Sequence, residues 1–181
     1  GNTSLGGEDI FLIKFNSSGD KQWSKQFGTS PSGNNSGHDR GRDLAADSED
    51  NIYVTGLKNG GYFFLDKYNS SGTEQWSKQF GSRASFVQSV AVDSDDNIYV
   101  TGSSYGDDSN NSDFGQSSAG YDDIFLVKYN SGGTKQWVKL LGSNMPDVGE
   151  SVAIDSSNNI YVTGYTNGNL DGNSNANDES N

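Results

Sequence analysis

The sequence predicts an all-β protein, a β-propeller of four-stranded antiparallel blades, with about three blades' worth of chain in 181 residues. Three observations carry that reading. The phrase NIYVTG stands at Asn51–Gly56, Asn97–Gly102 and Asn159–Gly164. A second phrase alternates with it: FLIKFNSSGDKQWSKQFG from Phe11, FFLDKYNSSGTEQWSKQFG from Phe63 and FLVKYNSGGTKQWVKLLG from Phe125. Self-similarity at this period marks a propeller, solenoid or array. Finally, the aromatic-aliphatic run is apolar on both faces, with Ile10 and Leu12 on one and Phe11, Ile13 and Phe15 on the other. A sheet with one wet face would alternate more cleanly, whereas a blade stacked between two similar blades needs both faces apolar.

Each unit divides into four strands. Strand one is a short apolar run ending in Asp: Leu44–Asp47, Val90–Asp93 and Val152–Asp155. Strand two is NIYVTG. Strand three is Ile10–Phe15, Tyr62–Tyr68 and Ile124–Tyr129, and strand four is centred on Trp23, Trp76 and Trp137 and ends at Gly28, Gly81 and Gly142. β-branched and aromatic enrichment between turn residues favours strands over helices. The turns joining strands one and two, at 48–50, 94–96 and 156–158, use Asp, Asn and Ser, which bond their own backbone and tolerate a left-handed conformation. Asn-Ser-Ser-Gly or Asn-Ser-Gly-Gly joins strands three and four, with Gly supplying a positive φ for a tight antiparallel hairpin.

The phase of the repeat is informative. Residues 9–28 supply strands three and four, residues 43–81 and 89–142 supply two whole blades, and residues 151–165 supply strands one and two. The half-units complement one another, yet three blades fall short of the usual four to eight. Three arrangements satisfy this: a fragment of a longer propeller, two chains joined end to end into six blades, or an open filament. The absence of Met at position 1 and of a signal-peptide apolar region leads us to expect a processed protein or a fragment.

Composition narrows the function classes. A net charge of -12 and 24 acidic residues repel phosphate backbones and anionic lipid, which argues against nucleic-acid partners. No run reaches the roughly 20 apolar residues that span a bilayer, so membrane insertion is not expected. With no Cys, disulfides and thiolate chemistry are excluded.

Candidate chemistry is sparse. His38 is the single histidine, in a polar loop, and reads as solvated; no nucleophile motif accompanies it. Calcium is the candidate cofactor, because hard cations take oxygen ligands from alternating loop positions. Asp107 through Asp113 has that spacing, as does Asp171 with Asn173 and Asn175, although Ser112 and Ala176 stand where a calcium loop has Gly. The turn acids Asp93, Asp95 and Asp96 read as turn chemistry. Glycosylation sequons occur at Asn2, Asn16, Asn34, Asn69 and Asn110. Trp23, Trp76 and Trp137 read as packing between blades, and Lys14, Lys67 and Lys128 as snorkelling or paired with acids such as Asp43.

The run VAVDSDDNIYVTG, followed by DIFLVKYNSGGTKQW, resembles the bacterial and archaeal β-propeller repeat called the SBBP repeat, and its VxxDxxxNIYVTG portion is similar to NHL repeats. The opening GNTSLGGEDIFLIKFNSSG and the closing GYTNGNLDGNSNAND match the connector of that repeat. The chain departs from the pattern in the lost connector at Leu57–Gly61 and the insertion at Ser103–Gly120. The resemblance implies an extracellular or cell-surface module of a larger protein with no common catalytic motif. The expected function is therefore a secreted or surface-displayed, non-catalytic module with a structural, adhesive or protein-binding role, whose partner is another protein or a second copy of itself. A lectin-like propeller binding glycans is the alternative, and a propeller hydrolase or lyase is disfavoured by one His and three Arg. Recognition belongs in the loops where the copies differ, 29–40, 103–123 and 166–181.

Overall fold

Twelve strands in four antiparallel sheets make up the described part of the protein, which in this computed structural model comprises residues 6–31, 37–58, 61–80, 85–105 and 121–173. β1 (Ile10–Phe15) and β2 (Lys21–Phe27) form a two-stranded sheet. β3 (Arg40–Ala46), β4 (Ile52–Lys58), β5 (Tyr62–Tyr68) and β6 (Glu74–Phe80) form a meander of four. β7 (Ser85–Val92), β8 (Ile98–Tyr105), β9 (Asp122–Tyr129) and β10 (Lys135–Leu141) form the second. β11 (Asp147–Ile154) and β12 (Ile160–Thr166) form the last, a sheet of two, and a single 3-10 turn follows at Leu170–Gly172.

The sheets stack face on face in chain order. β3 lies against β7 and β7 against β11, so the first strands of successive sheets line one side of the stack. Between the two four-stranded sheets sit Phe63, Leu65 and Phe80 from one and Val87, Val90, Val100, Phe125 and Val127 from the other. Phe63 and Phe125 have ring centroids 5.8 Å apart. Between the first two sheets, Ile10 and Leu12 meet Val54, Phe64 and Tyr68. Apolar residues at alternate positions of one strand thus serve two different cores, as the doubly apolar strand three predicts.

The turns behave as their residues dictate. Asp50, Asp96 and Asn158 hold φ of 62°, 61° and 61°, and hairpin residues Gly19, Gly72 and Gly133 hold φ of 84°, 76° and 77°. At Gly72 a Cβ would also meet the Trp23 ring at 3.2 Å. The glycine that ends NIYVTG has a different reason. Each first strand carries a bulge opposite it, at Gly41/Asp43, Val87/Ser89 and Gly149/Ser151. The bulge drives a carbonyl oxygen (Arg40, Phe86 or Val148) into the space a Cβ would need on Gly56, Gly102 or Gly164. Gly102→Ala is therefore expected to cost at least the roughly 1–3 kcal/mol of an overpacked core, read as a lowered urea midpoint; an unchanged midpoint would contradict the bulge geometry.

The first strands begin earlier than hydrophobicity indicates, at Arg40, Ser85 and Asp147 in place of Leu44, Val90 and Val152. Polar residues or Gly stand at the bulges (Gly41–Asp43, Gln88–Ser89 and Gly149–Ser151), which break the alternation just where a period of two would be read.

Candidate functional site

The repeated polar residues converge on one structural network, built three times. In the first four-stranded sheet Asp47 accepts hydrogen bonds from Asn51 N (2.8 Å), Asn51 Nδ2 (2.9 Å), Glu49 N (3.0 Å) and Tyr53 Oη (3.0 Å). Lys67 Nζ lies 3.5 Å from the same carboxylate and 5.1 Å from the Tyr53 ring centroid. Asp93, Asn97, Tyr99 and Lys128 repeat the arrangement, as do Asp155, Asn159 and Tyr161 without a lysine in place. The lysines thus pair with Asp47 and Asp93, at the turn, while the Asp43 expected for them instead accepts from Ser89 Oγ (2.7 Å) and Val90 N (2.9 Å) of the next sheet.

Burial raises the pKa of Asp47 and Asp93, but the donors from Asn51 and Tyr53, and from Asn97 and Tyr99, outweigh it and leave both carboxyls below their usual value. Asp155, partly exposed, is lowered to about 2, chiefly by the Asn159 side chain. A carboxyl depressed in the folded state contributes stability that is fully present above its unfolded value, near 3.9, and lost as pH falls through the folded value. The stability difference between the protein and Asp93→Asn is accordingly expected to stay constant from pH 7 to about 5 and to shrink below about 4. A difference that grows on acidification would contradict the assignment; denaturant titrations at each pH decide it.

The tryptophans join sheet to sheet. Trp23 Nε1 donates to Ser70 O (3.2 Å) and Trp76 Nε1 to Ser131 O (3.3 Å), each reaching the three–four hairpin of the following sheet. Lys14 Nζ donates to the same Ser70 carbonyl at 3.2 Å. Stacking a sugar on these rings would displace contacts that hold the blades together.

Of the calcium candidates, Asp107, Asp113 and Asn175 lie outside the described residues. Asp171 sits at φ 51° in the terminal turn, and Asn173 closes that turn through its backbone N (2.9 Å) and Nδ2 (3.3 Å) on Leu170 O. Among the described residues no group of three or more His, Asp or Glu could hold a metal. Sequons Asn2, Asn34 and Asn110 also fall outside. Asn16 and Asn69 organise their hairpins: Asn16 Oδ1 accepts from Ser18 N and Asp20 N, and Asn69 Oδ1 from Ser71 N and Thr73 N. His38 is half-exposed, 3.6 Å from Glu8.

Two features escaped sequence reasoning. Asp66, fully buried, pairs with Lys58 Nζ at 2.5 Å and accepts from Ser77 Oγ (2.6 Å) and Tyr68 Oη (3.2 Å). Its repeat equivalents are Ile13 and Val127, and an Asp inside FFLDKY was the available signal. Buried Asp39 and Asp147 fasten the end of one sheet to the start of the next by accepting from the Thr29 and Ser143 hydroxyls, at 3.0 and 2.9 Å.

What these networks leave exposed is concentrated on the two half-sheets. Phe11 is 72% exposed, whereas Phe64 and Phe125 at the same repeat position are 1% and 0% exposed. Tyr161 is 58% exposed against 0% for Tyr53. Phe15 and Tyr165 of the half-sheets are also exposed, as are Leu44 of β3 and Leu141 of β10 in the whole blades. Beside them open a cavity of about 600 Å³ between β1 and the β3–β4 pair, and one of about 270 Å³ between β12 and the outer strands β9 and β10.

Four-stranded antiparallel sheets stacked with their first strands together, and tied by Trp-to-hairpin contacts, define a β-propeller repeat protein. A beta-propeller repeat family model, SBBP, matches residues 22–63, 75–108 and 136–171, more than half of the chain, and the protein belongs to that family. An uncharacterized WD repeat-containing protein of Acanthamoeba polyphaga mimivirus is 34% identical over 166 residues, 92% of this chain. The chain spans 9% of the length of that relative. The crystal structure of a Bacteroides caccae protein of unknown function aligns with a TM-score of 0.52 over 91% of this chain and 53% of its own, at 9% identity, a likeness of fold.

Proposed function

We propose that the protein is a non-catalytic propeller module that works outside the cell as a scaffold for protein contacts. Membership of a propeller repeat family and likeness to a WD repeat-containing protein support a repeat scaffold. The observation that carries the reading is where the polar residues go. The Asp-Asn-Tyr-Lys network, the tryptophans and the buried acids are consumed in holding turns and sheets together. What remains for partners is exposed apolar and aromatic surface, which suits protein association.

A panel of hydrolase and lyase substrates together with a glycan array tests this. The expected result is no turnover and no glycan bound. Turnover, or saturable binding of one glycan per blade, would overturn the scaffold reading in favour of an enzyme or a lectin. Labelling of intact source cells with a membrane-impermeant amine reagent tests the location, with labelling of the protein expected.

A further inference from the structure

Where one sheet passes to the next, the chain brings two aspartates together, and does so twice. Asp9 and Asp123 share one repeat position, just before Ile10 and Ile124, which oppose Phe27 and Leu141. Asp39 and Asp147 share another, two residues before the bulges at Gly41 and Gly149. At the first junction a Cβ on Gly28 would stand 2.5 Å from Asp9 Oδ1 and 2.8 Å from Asp39 Oδ2, so both carboxylates crowd one glycine. At the last, Asp123 Oδ1 lies 2.1 Å from where a Cβ on Gly142 would stand. Asp147 accepts from the next residue, Ser143, at its N (2.5 Å) and Oγ (2.9 Å). The middle junction has Tyr62 and Ser85 at these positions, so the acids come as a pair or not at all.

The last pair is deeply buried, with Asp123 2% and Asp147 0% exposed. Buried carboxylates need a compensating positive charge. Elsewhere in the protein a lysine supplies it: Lys67 lies 3.5 Å from Asp47, Lys58 2.5 Å from Asp66 and Lys128 3.8 Å from Asp93. Among the described residues Asp147 has no such cation, and its Oδ1 is buried with no hydrogen-bond partner. That oxygen belongs to the carboxylate fixed on the Gly142–Ser143 backbone, against which Asp123 also lies.

We propose that these junctions are calcium sites, one ion held by Asp123 and Asp147 and a second by Asp9 and Asp39. Each ion clamps the end of one sheet to the start of the next. The donors are hard oxygens, which suit calcium and not a softer transition metal. Two carboxylates balance a divalent charge, and backbone carbonyls and water would complete the six to eight oxygens that calcium takes. The middle junction would hold none. With only two carboxylates per ion, binding is expected to be weak, with a Kd of about 0.1–1 mM. These ligands come from a third strand, the residue after a fourth strand and the next first strand, so they share no loop spacing with the candidates at 107–113 and 171–175. The inference concerns how the sheets are held and stands apart from the scaffold reading.

Thermal melts with and without calcium test the proposal. After treatment with a chelator, calcium chloride is expected to raise the Tm saturably by several degrees, and sodium chloride of equal ionic strength is not. Asp147→Asn keeps an acceptor for Ser143 and removes a charge; it should reduce the calcium response, and Asp39→Asn/Asp147→Asn should abolish it. Asp123→Asn leaves the Ser143 bonds untouched and should reduce the response as Asp147→Asn does, with circular dichroism reporting that each variant folds. A native Tm indifferent to calcium would overturn the sites; a higher Tm in Asp147→Asn would then assign the pair a shared proton instead. A full calcium response in the double variant would also overturn them and place the ion in another part of the chain. None of these readouts depends on turnover, glycan binding or location, so failure of the calcium sites and failure of the scaffold reading are separable.

Discussion

Phe125→Ala is expected to lower the unfolding free energy by about 3–5 kcal/mol, the range for removing a large aromatic from a packed core. The ring is fully buried between the two whole blades, 5.8 Å from Phe63, and it rests on Gly102. Both blades lose a contact, so little of the space can be recovered by collapse. The same substitution at Phe11, an equivalent position of the repeat that is exposed, is expected to change stability by no more than about 0.5 kcal/mol, the range for exposed sites. Urea denaturation of both variants gives the comparison. Equal effects would mean that repeat position, and not the neighbouring blade, sets the cost.

Asp93→Ala should be comparably severe, at about 3–5 kcal/mol, because it removes one partner of a buried, charged cluster. Asn97 N and Nδ2 and Tyr99 Oη lose their acceptor, and Lys128, 3.8 Å away and largely buried, keeps its charge without the carboxylate. Leaving such donors unsatisfied carries their desolvation cost in full. Asp155→Ala removes the same hydrogen bonds at an exposed turn, where water replaces them, and is expected to cost clearly less. Thermal melts of the two variants side by side test this; an Asp155 variant as damaged as the Asp93 variant would show that turn geometry alone, and not burial, decides.

Much of the fold is legible in the residues because each repeat states it again. Strand three could be bounded at Ile10–Phe15 and Tyr62–Tyr68 because Asn-Ser-Ser-Gly ends it and apolar residues fill it. The left-handed turn positions followed from Asp50, Asp96 and Asn158. The leading halves of the first strands were not legible, since bulges at Gly41, Val87 and Gly149 interrupt the alternation. Side-chain partners were harder. Lys67 and Asp47 are distant in sequence, and only the β4–β5 register brings Lys67 opposite Tyr53 and thereby to Asp47. The exposed faces were invisible for the same reason: Phe11 and Phe125 are the same letter in the same phrase, and only the neighbour supplied by the fold distinguishes them.

Residue-resolved hydrogen exchange tests the central claim, that the repeats fold as stacked sheets whose apolar cores lie between neighbouring blades. The amides of β4, β5, β8 and β9 are expected to exchange slowly in the native protein, and Phe125→Ala, in the core shared by the two whole blades, to speed exchange in both. Faster exchange confined to β8 and β9, with β4 and β5 unchanged by Phe125→Ala, would contradict it.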